Sequence, residues 1–282
     1  MQLLSLLKTI TRAVPEQQAW WLLEKLTGKS RSKLITQDEI DITSEQLLQL
    51  QDWLEEIVIN SQPIQYIIGS VPFYEIEILC KPPVLIPRPE TEEWVVQLIQ
   101  QLQPYKDRPL RILDLCTGSG CIGLALAHAL PNAHVIMSDI AEHALMLAQE
   151  NKLYNSIPNS TILPSNLFET VGDYAPFDII VSNPPYIPMQ AYKHLDSSVK
   201  EWEDRLALEA GKDGLSIIKK IIEVAPNYLS SRDKAVDFPQ LLIEIDYTQA
   251  EAVTNLLKHA GFNQIAIDKD LYNKDRVVRA SL

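Results

Sequence analysis

The sequence predicts an α/β protein in which a mostly parallel, seven-stranded sheet is covered by helices on both faces and preceded by a small helical domain. Three observations predict it. From Leu110 onward, short apolar runs alternate with amphipathic helical segments, the pattern of strands buried on both faces and joined by crossover helices. Up to about Gln62 the apolar residues recur at helical spacing instead. A chain of 282 residues with 46% hydrophobic content holds enough apolar material for one large core and a smaller companion.

In the first region, residues 1–62, Leu3, Leu4, Leu6, Leu7 and Ile10 fall at helical spacing, and Trp20, Leu22, Leu23 and Leu26 repeat the pattern. Thr27-Gly28 supplies a stop, and a further helix is expected through EQLLQLQDWLEEIVI with Ser44 or Thr43 as its N-cap. These stripes read as core. Residues 63–90 read as a connector. Alternation in YEIEIL predicts a hairpin strand. Pro82, Pro83, Pro87 and Pro89 hold the chain extended, because a residue before proline is pushed out of the helical region. Pro89-Glu90-Thr91-Glu92 then opens a helix, and the sheet domain is expected over 91–282. Its strands are RILDL, HVIMSDI, TILPSNL, FDIIVSN and QLLIEID, with QIAIDKD and RVVRASL as a closing pair. Its helices are GCIGLALAHAL, HALMLAQENKLY, GLSIIKKIIEVAPNYL and QAEAVTNLLKHA, and SSRDKAVDFP reads as a polar, mobile loop.

Composition narrows the function. No apolar run has the length needed to cross a bilayer, so no membrane association is expected. The start lacks the long apolar stretch and small-residue site of a secretory signal. It carries Lys8 and Arg12 and no acid before Glu16, a pattern shared with short organelle-targeting segments. A net charge of -12 and a pI near 4.9 lack the basic balance of proteins that grip long nucleic acid. Stable nucleic-acid binding is therefore not expected, and a basic protein partner fits better. Cys80, Cys116 and Cys121 form an odd, sparse set that reads as reduced thiols. A zinc site wants four ligands, and no second Cys/His pair accompanies Cys116 and Cys121, so no metal is expected. His128 and His143 lie in helical patterns and read as surface or packing residues, and a monomer is expected.

Two motifs carry chemistry. In ILDLCTGSGCIG a strand ends, Gly118 and Gly120 allow a tight turn, and a helix begins. That arrangement places backbone N–H groups and the positive end of a helix at the carboxyl edge of the sheet. Such turns also serve merely to pack a helix on a strand, and D-x-C-T-G-S-G departs from the dinucleotide G-x-G-x-x-G pattern. Asp114 precedes the turn, and Asp139 ends the next strand about twenty residues beyond it, where a carboxylate can take both hydroxyls of a ribose. The plainer role for Asp139 is a helix cap. In FDIIVSNPPYIP, Asn183-Pro184-Pro185-Tyr186 follows the fourth strand at the same edge. Asn before Pro is held extended, and two prolines leave carbonyls without matching donors. An amide side chain and a free carbonyl can accept both hydrogens of a planar NH2 group, with Tyr186 as a flat face against it; the plainer reading is a proline-rich loop.

ILDLCTGSG, SNPPY and the order of elements resemble the Rossmann-like class I methyltransferases that use S-adenosyl-L-methionine and modify exocyclic or amide nitrogens. The segments YIIGSVPFYEIEI…VLIPRPETE and WEDRLALEAGKDGLSII resemble the PrmC/HemK family more narrowly, and the likeness covers essentially the entire chain. SNPPY alone is shared with DNA and RNA amine methyltransferases; LIPRPETE together with SNPPY is far more specific. The resemblance implies an enzyme that methylates the side-chain amide (N5) of the glutamine in the Gly-Gly-Gln loop of class I peptide-chain release factors. It implies the cytoplasm for a bacterial source and the mitochondrial matrix for a eukaryotic one. By the same resemblance the donor lies along Cys116, Thr117, Gly118, Ser119 and Gly120 beside Asp114, with its ribose on Asp139 and its adenine bordered by Asn166 and Leu167. Asn183 is implied near the methionine end, Arg88 to Glu92 as closing the pocket, and the helical domain as recognising the substrate. Asn183, Pro184, Pro185 and Tyr186 are implied to hold the acceptor, with Asn183, Pro184 and Tyr186 carrying the chemistry.

Two departures from the family pattern bear on the site. Cys116 stands where glycine is usual, and a small side chain is expected to fit. Asn166 stands where many relatives carry aspartate, which weakens the expected adenine contact. DLYNKDRVV also lacks the glycine often found before its last basic residue. The mechanism expected is one of orientation. Asn183 Oδ1 and the Pro184 carbonyl accept the two N–H bonds of the acceptor amide, with no strong general base. The alternatives are an adenine-N6 DNA or RNA methyltransferase using the same NPPY loop, and a methyltransferase fold kept as a non-enzymatic assembly factor.

Overall fold

The computed structural model describes residues 2–231 and 237–282; residues 232–236, within the loop read as SSRDKAVDFP, lie outside the described residues. The chain divides into two compact units, one of Met1–Ser70 with Ser197–Trp202 and one of Val71–Asp196 with Glu203–Leu282.

The first unit is helical: α1 (Leu3–Ile10), α2 (Glu16–Thr27), α3 (Arg31–Leu34), α4 (Ser44–Val58) and α5 (Ile64–Ile68). The leucine stripes become its core, with Leu3, Leu6 and Ile10 packed among Trp20, Leu22, Leu23, Leu26, Leu34 and Leu50. Gly28 ends α2 in the left-handed conformation, where glycine carries no Cβ penalty. The N-cap of α4 is Thr43: its hydroxyl accepts from Gln46 N–H at 3.1 Å while Gln46 Oε1 accepts from Thr43 N–H at 3.0 Å, a reciprocal capping box. Trp202 also belongs to this unit, donating from Nε1 to the Asn60 carbonyl at 2.8 Å.

The second unit opens with a hairpin of β1 (Ser70–Phe73) and β2 (Ile76–Leu79), then α6 (Pro89–Leu102). There follow β3 (Arg111–Leu115), α7 (Cys121–Ala129), β4 (His134–Asp139), α8 (Glu142–Tyr154), β5 (Ser160–Pro164), β6 (Ile179–Ser182) and α9 (Met189–Tyr192). After α10 (Ser197–Lys200), in the segment assigned to the helical unit, come α11 (Ser216–Val224), β7 (Leu241–Glu244), α12 (Ala250–His259), β8 (Gln264–Lys269) and β9 (Asp275–Ser281). Seven strands form one sheet in the order β5-β4-β3-β6-β7-β9-β8, parallel except where β9 runs against β7 and β8. The helix expected through GLSIIKKIIEVAPNYL ends sooner: Pro226 has no N–H to donate, and the chain tightens to a 3-10 turn over Ala225–Asn227. TILPSNL likewise leaves the sheet at Pro164.

Alternate residues of each strand feed two cores. Ile112, Val135, Met137 and Val181 pack under Trp94 and Leu98 of α6 and Leu124 of α7. Leu113, Leu115, Ile136, Ile180 and Ile243 pack under Ile218 and Ile222 of α11 and Val253 and Leu257 of α12. Burial on both faces explains why the strands read as continuous apolar runs. Leu115 pairs with Ser138 on one side and Ser182 on the other, so β3, β4 and β6 end level. Cys116, Asp139 and Asn183 therefore leave the sheet at one carboxyl edge, beside the point where the strand order reverses. Among the described residues no helix is long and apolar enough to cross a membrane.

Candidate active site

The glycine turn after β3 is held in shape from below. Gly118 and Gly120 have φ of +55° and +83°, which β-carbon-bearing residues resist. Asp114 lies fully buried beneath the turn, its Oδ2 accepting from the Thr117 hydroxyl at 2.6 Å and from Gly123 N–H at 3.0 Å. Burial pushes its carboxyl up to about 7, against the pull of those two donors, and the charge of Asp139 adds to the rise. Asp114 Oδ1 has no partner among the described residues. The Ser119 carbonyl accepts from Asn151 Nδ2 at 2.9 Å and Asn151 Oδ1 accepts from Leu79 N–H at 2.7 Å, so one buried asparagine links turn, α8 and hairpin.

Asp139 orders the loop before α8 without capping that helix, whose N-cap is Ala141 with no side-chain cap bond. Oδ1 accepts from Ala141 N–H at 3.0 Å, at the entry to α8, and Oδ2 accepts from Gly118 N–H at 2.9 Å. An ionised carboxylate has about four lone-pair positions, so each oxygen keeps one for a ligand hydroxyl.

A cavity of about 200 Å³ opens over this edge. Of the residues singled out from the sequence, Cys116, Gly118, Asp139, Asn166, Leu167, Asn183 and Pro185 line it; Asp114, Thr117, Ser119, Gly120, Pro184 and Tyr186 do not. Val84, Leu85, Ile140, Ala144 and Ile217 add apolar walls, and Ser165, His143 and Asp204 add polar ones. A mainly apolar slot with a carboxylate at one side and an amide at the other suits a nucleoside carrying an amino-acid tail.

Two lining residues hold left-handed backbone without being glycine: Cys116 at φ +58° and Leu167 at φ +53°. A positive φ at 116 is a backbone demand that glycine would meet without a Cβ penalty. The left-handed region costs an ordinary residue roughly 1–2 kcal/mol, and a β-branched one more. Cys116→Val is expected to destabilise the protein by about 2 kcal/mol and to weaken donor binding, whereas Cys116→Gly leaves both within about 1 kcal/mol. Thermal unfolding and titration calorimetry measure the two effects. Asn166 is exposed and its Nδ2 donates one hydrogen to Glu169 Oε1 at 2.8 Å, which leaves its second N–H, Oδ1 and the backbone for a ligand.

The NPPY loop is braced by the segment that follows it. Ile187 exchanges backbone bonds with Leu208 and Ala210. The Tyr186 carbonyl accepts from Gln249 Nε2 at 2.9 Å, and a Cβ on Gly214 would stand 2.1 Å from that carbonyl, so only glycine fits there. Asn183 Nδ2 donates to Thr91 Oγ1 at 3.2 Å. Asn183 Oδ1 and the Pro184 carbonyl receive no donor among the described residues. The Tyr186 hydroxyl faces buried Glu244 at 3.4 Å, and burial together with that carboxylate pushes its ionisation upward.

Arg88 to Glu92 do not line the cavity; Val84 and Leu85 do. The RPETE segment braces the wall instead. Arg88 Nη2 reaches both oxygens of Glu203 at 2.7 and 2.6 Å, and Glu203 Oε1 also accepts from Ile86 N–H at 3.3 Å. Asp204 N–H donates to the Pro83 carbonyl at 2.7 Å, and Asp204 Oδ2 stands 3.1 Å from His143 Nε2. Glu203, Asp204, Thr91 and Glu244 are site residues given no individual role by the sequence reading. The available signal for Glu244 was an acid closing the apolar run QLLIE.

Two family models match the chain: the Methyltransferase small domain over residues 95–202 and the PrmC N-terminal domain over residues 2–69. A release factor glutamine methyltransferase of Thermodesulfovibrio yellowstonii is 39% identical over 84% of this chain and 82% of its own. Proteins of the same description from Coxiella burnetii and Escherichia coli K12 are each 36% identical, covering 96% and 93% of this chain and 94% and 91% of theirs. Among solved structures, the hMettl16 catalytic domain in complex with a 3'UTR hairpin matches with a TM-score of 0.55 over 86% of this chain and 84% of its own. At 15% identity that likeness shows the fold alone.

Proposed function

The chain belongs to the release factor glutamine methyltransferases, the PrmC/HemK family, and on that premise we propose that it methylates the side-chain amide nitrogen of the Gly-Gly-Gln glutamine in a class I peptide-chain release factor. The observation that carries the chemistry is a pair of unused acceptors, Asn183 Oδ1 and the adjoining Pro184 carbonyl, in a loop whose Asn183 and Pro185 line the same cavity as Asp139. S-adenosyl-L-methionine supplies a methyl group on a sulfonium, which is already a strong electrophile. Asp139 would take the ribose, the Cys116 to Gly120 turn the amino-acid end, and Asn166 and Leu167 the edge of the adenine.

An amide nitrogen is a poor nucleophile because its lone pair is delocalised into the carbonyl. Two acceptors that hold both N–H bonds aim that lone pair into the cavity and favour a pyramidal nitrogen. Alignment of this kind is worth about 7–11 kcal/mol, and fixed dipoles add to it. The buried carboxylate behind Asn183, Glu244, accepts from Thr91 and Trp94 and is not a free base. None is required: once nitrogen carries positive charge its proton passes readily to water.

We assign substrate recognition to the helical region 1–62, ahead of the connector 63–90, on the support of exposed Leu4, Ile35, Leu48, Val58 and Ile59. We further propose a monomer without stable nucleic-acid binding, in keeping with the net charge of -12, acting in the cytoplasm of a bacterial source or the mitochondrial matrix of a eukaryotic one. The test is labelled S-adenosyl-L-methionine offered with a class I release factor, its Gln→Ala variant, and adenine-rich DNA and RNA. Label on the unaltered factor alone supports the reading. Label on nucleic acid and none on the factor transfers the function to an adenine methyltransferase.

A further inference from the structure

A buried hydrogen-bond chain stands behind Asn183. Its Nδ2 donates to Thr91 Oγ1 at 3.2 Å, and the Thr91 hydroxyl donates to Glu244 Oε2 at 2.7 Å. The same carboxylate oxygen accepts from Trp94 Nε1 at 2.9 Å, while Oε1 faces the Tyr186 hydroxyl at 3.4 Å. Thr91 and Glu244 are 2% and 1% exposed, so water cannot substitute for a missing partner. Thr91 and Trp94 come from the first turns of α6, and Glu244 ends β7.

The direction of this chain is fixed at one end. An indole N–H can only donate, so Glu244 Oε2 has to accept. The Thr91 hydroxyl has one hydrogen and spends it on that oxygen, which leaves it only lone pairs to show to Asn183. An asparagine amide has nearly the same shape in its two flipped orientations, so packing does not choose between them. Thr91 does choose: NH2 faces inward and Oδ1 faces the cavity. The opposite orientation would set Oδ1 against the lone pairs of Thr91 and point NH2 at the acceptor's NH2. Burial raises the proton affinity of Glu244, against the donors Trp94 and Thr91. With the carboxylate ionised, or with its proton on Oε1 toward Tyr186, Oε2 remains the acceptor of both Thr91 and Trp94.

We propose that Glu244, acting through the Thr91 hydroxyl, is a positioning residue that sets which way the Asn183 amide faces, and thereby makes Asn183 an acceptor for the substrate's NH2 group. This rests on the reading of Asn183 as the residue that holds the acceptor amide. The same order selects against an acceptor whose reacting atom carries no hydrogen, because Asn183 would then meet oxygen with oxygen.

The test uses the full chain, a class I release factor, and Thr91→Val, which keeps the shape of threonine and removes the hydroxyl. Its kcat is expected to fall about tenfold, the worth of one hydrogen bond. Donor affinity, read by calorimetry, should stay within about twofold. Thr91→Ser restores the hydroxyl, and Glu244→Gln can place its amide oxygen where Oε2 lies and its NH2 toward Tyr186. Both are expected to return kcat to within about threefold of the unaltered enzyme. Added to Asn183→Ala, Thr91→Val should cost nothing further, because its effect passes through Asn183. An equal loss in the two backgrounds, or equal losses of kcat and donor affinity, overturns the proposal and leaves Thr91 a packing residue. Undiminished turnover in Asn183→Ala alone instead removes the reading of Asn183 on which it rests.

Discussion

Asn183→Ala is expected to lower kcat by about 10²–10³-fold, the cost of removing one preorganised polar group that acts at the reacting centre, or about 3–4 kcal/mol. Donor affinity should fall much less than kcat, because the contacts proposed for the ribose and most of the amino-acid end are Asp139 and the glycine turn, with Asn183 only near the methionine end. Loss of the side chain leaves Thr91 and the backbone of the loop in place. The Ile187 bonds to Leu208 and Ala210 and the Gln249 bond to the Tyr186 carbonyl do not involve it. The variant should therefore fold as the unaltered enzyme does. Single-turnover methylation with saturating donor measures the first quantity and calorimetry the second. Equal losses of both would make Asn183 a binding residue without a specific part in the chemistry.

Arg88→Met should destabilise the fold by about 3 kcal/mol near pH 8. That is the low end for breaking a buried pair, because the Arg88 side chain is 33% exposed. What is left behind decides the effect: Glu203 has a side chain with 0% exposure and keeps only the Ile86 N–H. Burial already raises its pKa, and Arg88 is the main influence holding it down. Without Arg88 the folded pKa climbs further above the unfolded value, so in that window the folded state binds more protons. Stability then falls as pH rises through the window, and the penalty of Arg88→Met is largest at pH 8 and shrinks toward pH 5. Chemical denaturation at the two pH values tests this. A penalty independent of pH would mean that Glu203 does not respond to its partner. Replacing both partners, Arg88→Met with Glu203→Leu, should recover much of the lost stability, since no unpaired charge stays buried. Donor affinity should suffer in the single variant, because Glu203 and the neighbouring Asp204 hold the segment that carries Val84 and Leu85 into the cavity wall.

How much of this was legible beforehand depends on the range of the interaction. The strands and crossover helices could be read because burial on both sheet faces imposes apolar runs that need no partner to be recognised, as in RILDL and FDIIVSN. Gly28 as a helix stop and Thr43 with Gln46 as a cap are interactions over three or four residues. The placement of Cys116, Asp139 and Asn183 at one edge also followed, since parallel strands that end level bring their exits together. What escaped was contact between segments far apart in the chain. The bond from Thr91 to Glu244 spans 153 residues and the pair of Arg88 with Glu203 spans 115. No local pattern announces either. LIPRPETE was recognised as a motif, but the resemblance implied that Arg88 to Glu92 close the pocket, whereas they stand behind its wall as a brace. The left-handed backbone of Cys116 was hidden for a different reason: a side chain that fits by size says nothing about the sign of φ.

The most direct test of glutamine methylation is tandem mass spectrometry of a class I release factor after incubation with this protein and S-adenosyl-L-methionine. The account predicts a single added methyl group on the side-chain amide of the Gly-Gly-Gln glutamine, absent when Asn183→Ala replaces the enzyme over the same time. A methyl group on any other residue of the factor, or an unmodified glutamine beside a methylated nucleic acid, would contradict it.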